Sequence, residues 1–172
     1  MKCRQNWSKE CEEALNNQIN REYQASLSYH MISSYFNRDD IGLDHLVEYF
    51  NKASLEERDH ANKLMNYQNM RGGVVSIDNI KMSKLTTSLI ELKKPDDILE
   101  AFTIALEMEK EINQHLLDLH KTAENDPQFC DYLEGEFLKE QVEAISELSK
   151  IISVLERFNG DQHAIWNYIQ RI

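Results

Sequence analysis

The chain has 172 residues, enough for one domain with a substantial buried core. Five glycines and two prolines are few for that length, which favours long helices over sheets with many turns. A formal charge of −11 argues against nucleic acid as a partner and attracts cations, and three cysteines with no C-x-x-C step exclude a disulfide framework.

The N-terminal stretch MKCRQNWSKECEEA has no apolar signal core, and no run approaches transmembrane length. Both point to a cytoplasmic protein with no membrane partner. The first helix is predicted over residues 8–37, capped by Ser8, with acids in its first turn. Its inward stripe is Leu15, Ile19, Glu22, Ser26, Tyr29, Ser33 and Phe36, at steps of three and four. RDDIGLD is a turn, so the second helix, 44–71, runs back antiparallel with Leu46, Phe50, Ala53, Glu57, His60, Leu64 and Tyr67 inward. The Gly72-Gly73 pair closes it, since glycine readily takes the left-handed conformation.

Residues 73–95 are too long for a hairpin. A crossover of that length makes the second and third helices parallel, and SKLTTSLIEL within it is a candidate short helix. The third helix spans 96–124, with Asp96 or Asp97 near its cap and Phe102, Ala105, Glu109, Ile112, Leu116 and Leu119 inward. Asn125-Asp126-Pro127 starts a fourth helix over 127–158. Its inward residues are Leu133, Phe137, Gln141, Ile145, Leu148, Ile152 and Leu155, and Gly135 marks a candidate bend. A short fifth helix, 162–172, places Ile165, Ile169 and Ile172 on one side. The expectation is a single all-α domain over 1–172, a four-helix bundle with one crossover and a C-terminal appendage.

Polar residues interrupt all four long stripes. Glu22, then Glu57 with His60, then Glu109, then Gln141 occupy positions where apolar side chains belong. Burying a lone carboxylate costs several kcal/mol unless something compensates it, roughly 2–7 kcal/mol even for a neutral polar group. Three acids, one imidazole and one amide in a common layer call for a shared cation. A Glu-x-x-His step puts both side chains on one helix face, and carboxylates with imidazole suit iron. Gln141-Val142-Glu143-Ala144 carries Gln and Ala where a symmetric di-iron bundle has a second Glu-x-x-His. One of the two metal positions is therefore expected to hold its ion weakly, which suits iron that enters, is oxidised and leaves. Tyr29, two turns after Glu22, is placed to hydrogen-bond a ligand or take part in one-electron chemistry.

The stretches NQINREYQASLSY, EERDHANKLMNYQNMRGG, LEMEKEINQHLLDLH, NDPQFCDYLE and EQVEAI resemble the conserved blocks of ferritins, specifically the heavy-type subunits. The resemblance covers almost the whole chain. It implies an iron-storing ferroxidase in which Glu22, Glu57 and His60 hold the tighter iron and Glu57 bridges. Glu109 and Gln141 would serve the second iron, Tyr29 would stand beside the site, and Glu56 would help iron onward. It also implies a hollow shell of twenty-four subunits, homo-oligomeric or mixed, with no haem expected and with Fe(II) and dioxygen as substrates. Asp131 and Glu134, near Cys130 and His120, match the family's three-fold channels. The inner-surface acids are matched in part, by Glu56 and Asp59, with Asn62 where another acid often sits. The rival readings are a non-catalytic storage subunit and a di-iron oxygenase or peroxidase on the same bundle.

Overall fold

The computed structural model describes residues 1–80 and 96–172. The candidate helix in SKLTTSLIEL lies outside them. Among the described residues there are helices and no strands, and no helix is long and apolar enough to cross a membrane. Helix α1 is Lys9–Phe36, α2 is Asp44–Met70 and α3 is Asp97–Thr122. The predicted fourth helix is α4, Pro127–Leu133, then a π-helical turn, Glu134–Leu138, then α5, Lys139–Arg157. Helix α6 is Gln162–Ile169.

Local chemistry sets most of these ends. Ser8 caps α1, its hydroxyl accepting from the Cys11 N–H at 3.0 Å. Gly72, at φ +73°, closes α2 in the left-handed region, as expected. A Cβ on Gly73 would overlap the buried Gln68 amide and crowd the Trp7 indole nitrogen, two groups that hydrogen-bond each other at 2.9 Å. Asp96 occupies the cap position of α3 without a side-chain bond; the Asp97 carboxyl instead accepts from its neighbour Ile98 N and from Tyr35. Asp161 caps α6 through His163 N and Ala164 N.

Pairwise bonds give the topology. Ser33 meets Val47, Ser26 meets Ser54 and Trp7 meets Gln68, so α1 and α2 are antiparallel. Tyr35 meets Asp97, Tyr29 meets Glu109 and Cys11 meets Thr122, so α1 and α3 are antiparallel too. Helices α2 and α3 therefore run parallel, which only a long crossover allows. Gln141 on Glu109 and Glu134 on His120 set α5 and the π turn antiparallel to α3.

The start of the crossover is fastened to α1. Glu12, Asn16 and Asn20, one turn apart, bind alternate residues of the extended segment beyond Gly73. Val74 N–H donates to Glu12 Oε1 (2.8 Å), Ser76 N–H to Asn16 Oδ1 (3.1 Å) and Asp78 N–H to Asn20 Oδ1 (3.1 Å).

The buried apolar residues form two clusters. One gathers Tyr29, Phe36, Phe50, Phe102, Met108, Leu148 and Leu155 with Ile165 and Ile169 of α6. The other gathers Trp7, Leu15, Ile19, Leu64, Tyr67, Ile112, Phe129 and Phe137. The expected stripes are buried except at four positions, two of which, Ala53 and Ile145, are partly buried. Beyond the π turn, Ile151 is buried and Ile152 only partly so, while Leu148 and Leu155 keep the expected inward face. Gly135, the expected bend, lies inside that turn. Helix α6 stops at Ile169, leaving Ile172 exposed instead of beside Ile165 and Ile169.

Asp126 joins the two ends of the second cluster. Its carboxylate caps α4 at Phe129 N (3.1 Å) and is ion-paired with Arg71 at the end of α2. Burial works to raise this carboxyl, but the Arg71 and backbone hydrogen bonds outweigh it and hold the group below the usual range. A depressed carboxyl contributes stability above its unfolded pKa and loses it as pH falls through the folded value. Asp126→Ala is expected to cost about 1–3 kcal/mol at neutral pH. That deficit relative to the native chain should shrink as the melt is repeated below about pH 4, and a constant deficit would show that the charge is irrelevant.

Candidate metal centre

Between the two apolar clusters lies a layer of buried polar side chains. Glu22, Glu57, His60, Glu109 and Gln141 are all at most 7% exposed, each where its helix was expected to turn inward. One ligand atom from each of Glu22, Glu57 and His60 lies within 4.8 Å of the others, the one such group found among the described residues. The Glu57 carboxyl stands between those of Glu22 and Glu109 and is perturbed by both. His60 Nδ1 is 3.4 Å from Glu57 Oε2, and its Nε2 is 3.3 Å from Glu140 Oε2.

Neighbouring groups fix these side chains from outside. Gln18 Nε2 donates to Glu22 Oε1 at 2.7 Å. Gln141 Nε2 donates both to the Glu109 backbone carbonyl (3.0 Å) and to Glu109 Oε2 (2.5 Å). The Tyr29 hydroxyl donates to Glu109 Oε1. One turn from the acids, α1 and α2 clasp each other. Ser26 Oγ donates to the Ser54 carbonyl at 2.7 Å, and Ser54 Oγ donates to the Ser26 carbonyl at 2.8 Å. Small hydroxyl side chains permit the close approach that brings Glu22 and Glu57 together.

The electrostatics are unbalanced without a cation. Burial first, then the facing Glu57 carboxylate, pushes the Glu22 carboxyl well above its usual range. Burial and Glu109 do the same to Glu57. Burial, with the Glu109 and Glu57 charges, pushes the Tyr29 phenol up. Glu22 Oε2 is the one buried side-chain polar atom among the described residues with no hydrogen-bond partner. A native interior rarely leaves such an atom unpaired, and its neighbours here are two further ligand groups. Carboxylate oxygens with an imidazole nitrogen and an amide suit a divalent first-row metal such as iron.

The remaining expected residues lie further out. Glu56 is half-exposed and 3.5 Å from Lys52. It lines a groove of about 520 Å³ together with Glu140, Glu143, Tyr49 and Tyr29, and Glu109 of the buried layer faces the same groove. Asp131 and Glu134 are exposed at the other end of the bundle, with Glu134 Oε1 2.7 Å from His120 Nε2 and Cys130 Sγ donating to the Ala123 carbonyl. Gln18, Ser54 and Glu140 were not singled out from the sequence. Gln18 carried a signal, lying one turn before Glu22 on the same face; Ser54 and Glu140 stand beside stripe positions rather than on them.

A crossover bundle with acids and a Glu-x-x-His pair at its waist defines a class of carboxylate metalloprotein. A family model described as Ferritin-like domain matches residues 12–158, and the chain belongs to the ferritin family. It is 45% identical over 171 residues to "Ferritin, chloroplastic" of Malus baccata var. xiaojinensis, covering 98% of this chain and 67% of that one. It is 45% identical to "Ferritin-4, chloroplastic" of Arabidopsis thaliana, covering 98% of this chain and 64% of that one. For "Ferritin-1, chloroplastic" of Nicotiana tabacum the identity is 44% over 172 residues, covering 99% and 67%. The chain thus spans about two-thirds of the length of these curated relatives. The expectation of a cytoplasmic protein is corrected by these names, which point to a plastid. It rested on the residues at the N-terminus, which do not report where such relatives reside.

Glu22 and Glu57 hold protons more tightly folded than unfolded. Their contribution to the stability of the metal-free protein is therefore fully present below the unfolded carboxylate pKa of about 4.3 and is lost as pH rises through the folded values. Glu22→Gln, melted in chelator at neutral pH, is expected to unfold at higher temperature than the native chain, by roughly 2–4 °C per kcal/mol of relieved repulsion. A lower melting temperature would mean that the layer is not repulsive without metal.

Proposed function

We propose that this chain is an iron-storage subunit with ferroxidase activity. Membership of the ferritin family supports iron storage. The observation that carries the catalytic part is the convergence of Glu22, Glu57 and His60, with one buried carboxylate oxygen unpaired. In this reading Glu22, Glu57 and His60 take one Fe(II), Glu57 is shared, and Glu109 with Gln141 takes the other. Dioxygen accepts one electron from each ion, and ferric iron passes on as mineral precursor. The protein brings two like charges close in a carboxylate cage while leaving positions open for oxygen. Tyr29 and Gln141 each donate to one Glu109 oxygen and so fix that carboxylate, and Gln18 steadies Glu22.

The groove beside Glu109 gives iron a way out past Glu56, and its carboxylates attract a trivalent ion as it leaves. Asp131 and Glu134, repeated about a three-fold axis of a shell of twenty-four subunits, form acidic rings that admit cations. Such a shell, homo-oligomeric or mixed, encloses the mineral, and a plastid location accords with the names of the relatives.

The test is stopped-flow absorbance after the metal-free protein, loaded anaerobically with Fe(II), meets oxygenated buffer. Rapid oxidation with oxygen uptake is expected. Glu57→Ala and His60→Ala should slow it by at least the roughly 10–100-fold that a metal site loses with even a supporting partner, while the shell still assembles. Oxidation no faster than in buffer alone would favour a non-catalytic storage subunit. Separately, Asp131→Asn combined with Glu134→Gln is expected to slow iron uptake without shifting the melting temperature beyond about 0.5 kcal/mol equivalent. Unchanged uptake would remove the channel assignment.

A further inference from the structure

A run of aromatic rings leads away from the buried layer. The His60 ring meets Phe137 edge-on at 5.6 Å between centroids, Phe137 meets Tyr132 at 5.7 Å, and Tyr132 stacks on Tyr67 at 4.3 Å and 12°. Tyr67 continues to Trp7 at 5.8 Å. His60, Phe137, Tyr67 and Trp7 are buried, so Tyr132, half-buried, is the member of the run that reaches solvent. Phe137 lies within the π turn between α4 and α5.

The rings differ in their ability to give up an electron. A phenol oxidised by one electron must also release its proton. The Tyr67 hydroxyl is tied at both ends, donating to Gln128 Oε1 at 2.6 Å and accepting from Arg71 Nη1 at 2.7 Å. The Arg71 guanidinium also lies over the Trp7 ring at 4.6 Å and near the Tyr67 ring at 5.6 Å. That cation favours intact, electron-rich faces and opposes positive charge on either ring. Tyr132 has neither restraint. Its hydroxyl makes one long bond, to the Lys63 carbonyl at 3.3 Å, and the residue is only half-buried, which gives its proton a route to water.

We propose that Tyr132 is a one-electron donor to the metal centre, with Phe137 as the bridge between it and His60. The inference rests on the ferroxidase reading. Reducing dioxygen to hydrogen peroxide takes two electrons, and a centre holding a single Fe(II) supplies one. Tyr132 supplies the other: Fe(II) + O2 + TyrOH + H⁺ gives Fe(III) + H2O2 + TyrO•. The phenolic O–H bond breaks, its electron passes along the rings to oxygen, and its proton leaves to solvent, from which peroxide takes up two. The radical then rests where a diffusible thiol can return a hydrogen atom, TyrO• + RSH giving TyrOH + RS•. An incompletely loaded centre thus completes its reduction of oxygen without releasing superoxide.

The test is freeze-quench electron paramagnetic resonance after sub-stoichiometric Fe(II) is mixed with oxygenated buffer, using protein labelled with ring-deuterated tyrosine to identify tyrosyl signals. Tyr29→Phe serves as the background, since Tyr29 touches Glu109 directly. A tyrosyl signal is expected in Tyr29→Phe and lost in Tyr29→Phe with Tyr132→Phe. It should also be lost in Tyr29→Phe with Phe137→Leu, which keeps Tyr132 and removes the bridge. A signal surviving either double variant, or none in Tyr29→Phe, overturns the relay. If the unaltered chain oxidises Fe(II) no faster than buffer, the ferroxidase reading itself fails; if it oxidises iron rapidly and the radical does not depend on Tyr132, only the relay fails.

Discussion

Three carboxylates, an imidazole and an amide from four helices share one buried layer, and this crowding conditions the rest of the structure. No hydrophobic packing can satisfy them, so the apolar interior is split into a cluster on either side. The helices must also keep their mutual register, because sliding one by a turn would strand a charge against hydrocarbon. The serine clasp between α1 and α2 and the Tyr29–Glu109–Gln141 bonds across α1, α3 and α5 hold that register where the layer itself would push the helices apart. Buried carboxylates that raise one another's proton affinity oppose folding when ionised and attract any cation that enters. The same layer is therefore the weak point of the empty bundle and the binding point of the occupied one.

Much of this is legible in the sequence, for a definite reason. A charged residue on an apolar stripe conflicts with helix periodicity, and Glu22, Glu57, His60, Glu109 and Gln141 stand out by that conflict alone. The turn at residues 37–43, the closing Gly72 and the capping Asp126 are equally visible, since each answers a local backbone need. Groups that act between elements are less visible. Ser54 lies beside the stripe and matters only because Ser26 faces it; Glu140 reaches His60 only once α5 is docked on α2. The π turn is hidden because Glu134–Leu138 reads as ordinary helix. Cellular location is a different matter. It depends on an address rather than on packing, and similarity to plastid relatives corrected what the N-terminal residues had suggested.

The π turn also links two features that look separate. It carries Gly135 and two glutamates on its outer side, and Phe137 on its inner side against His60. Four residues after Phe137, Gln141 lies on the same side of the chain, with its amide on Glu109.

The fastening of the crossover to α1 has a consequence of its own. Four residues of helix advance about 6 Å, and two residues of extended chain advance about 6.6 Å. Glu12, Asn16 and Asn20 therefore act as a ruler whose marks fall on residues 74, 76 and 78. The ruler measures backbone and ignores side chains. Val74, Ser76 and Asp78 are free to vary in kind, but a residue gained or lost among them would put every later amide out of step. In this stretch evolution can rewrite the letters more easily than it can change the spacing.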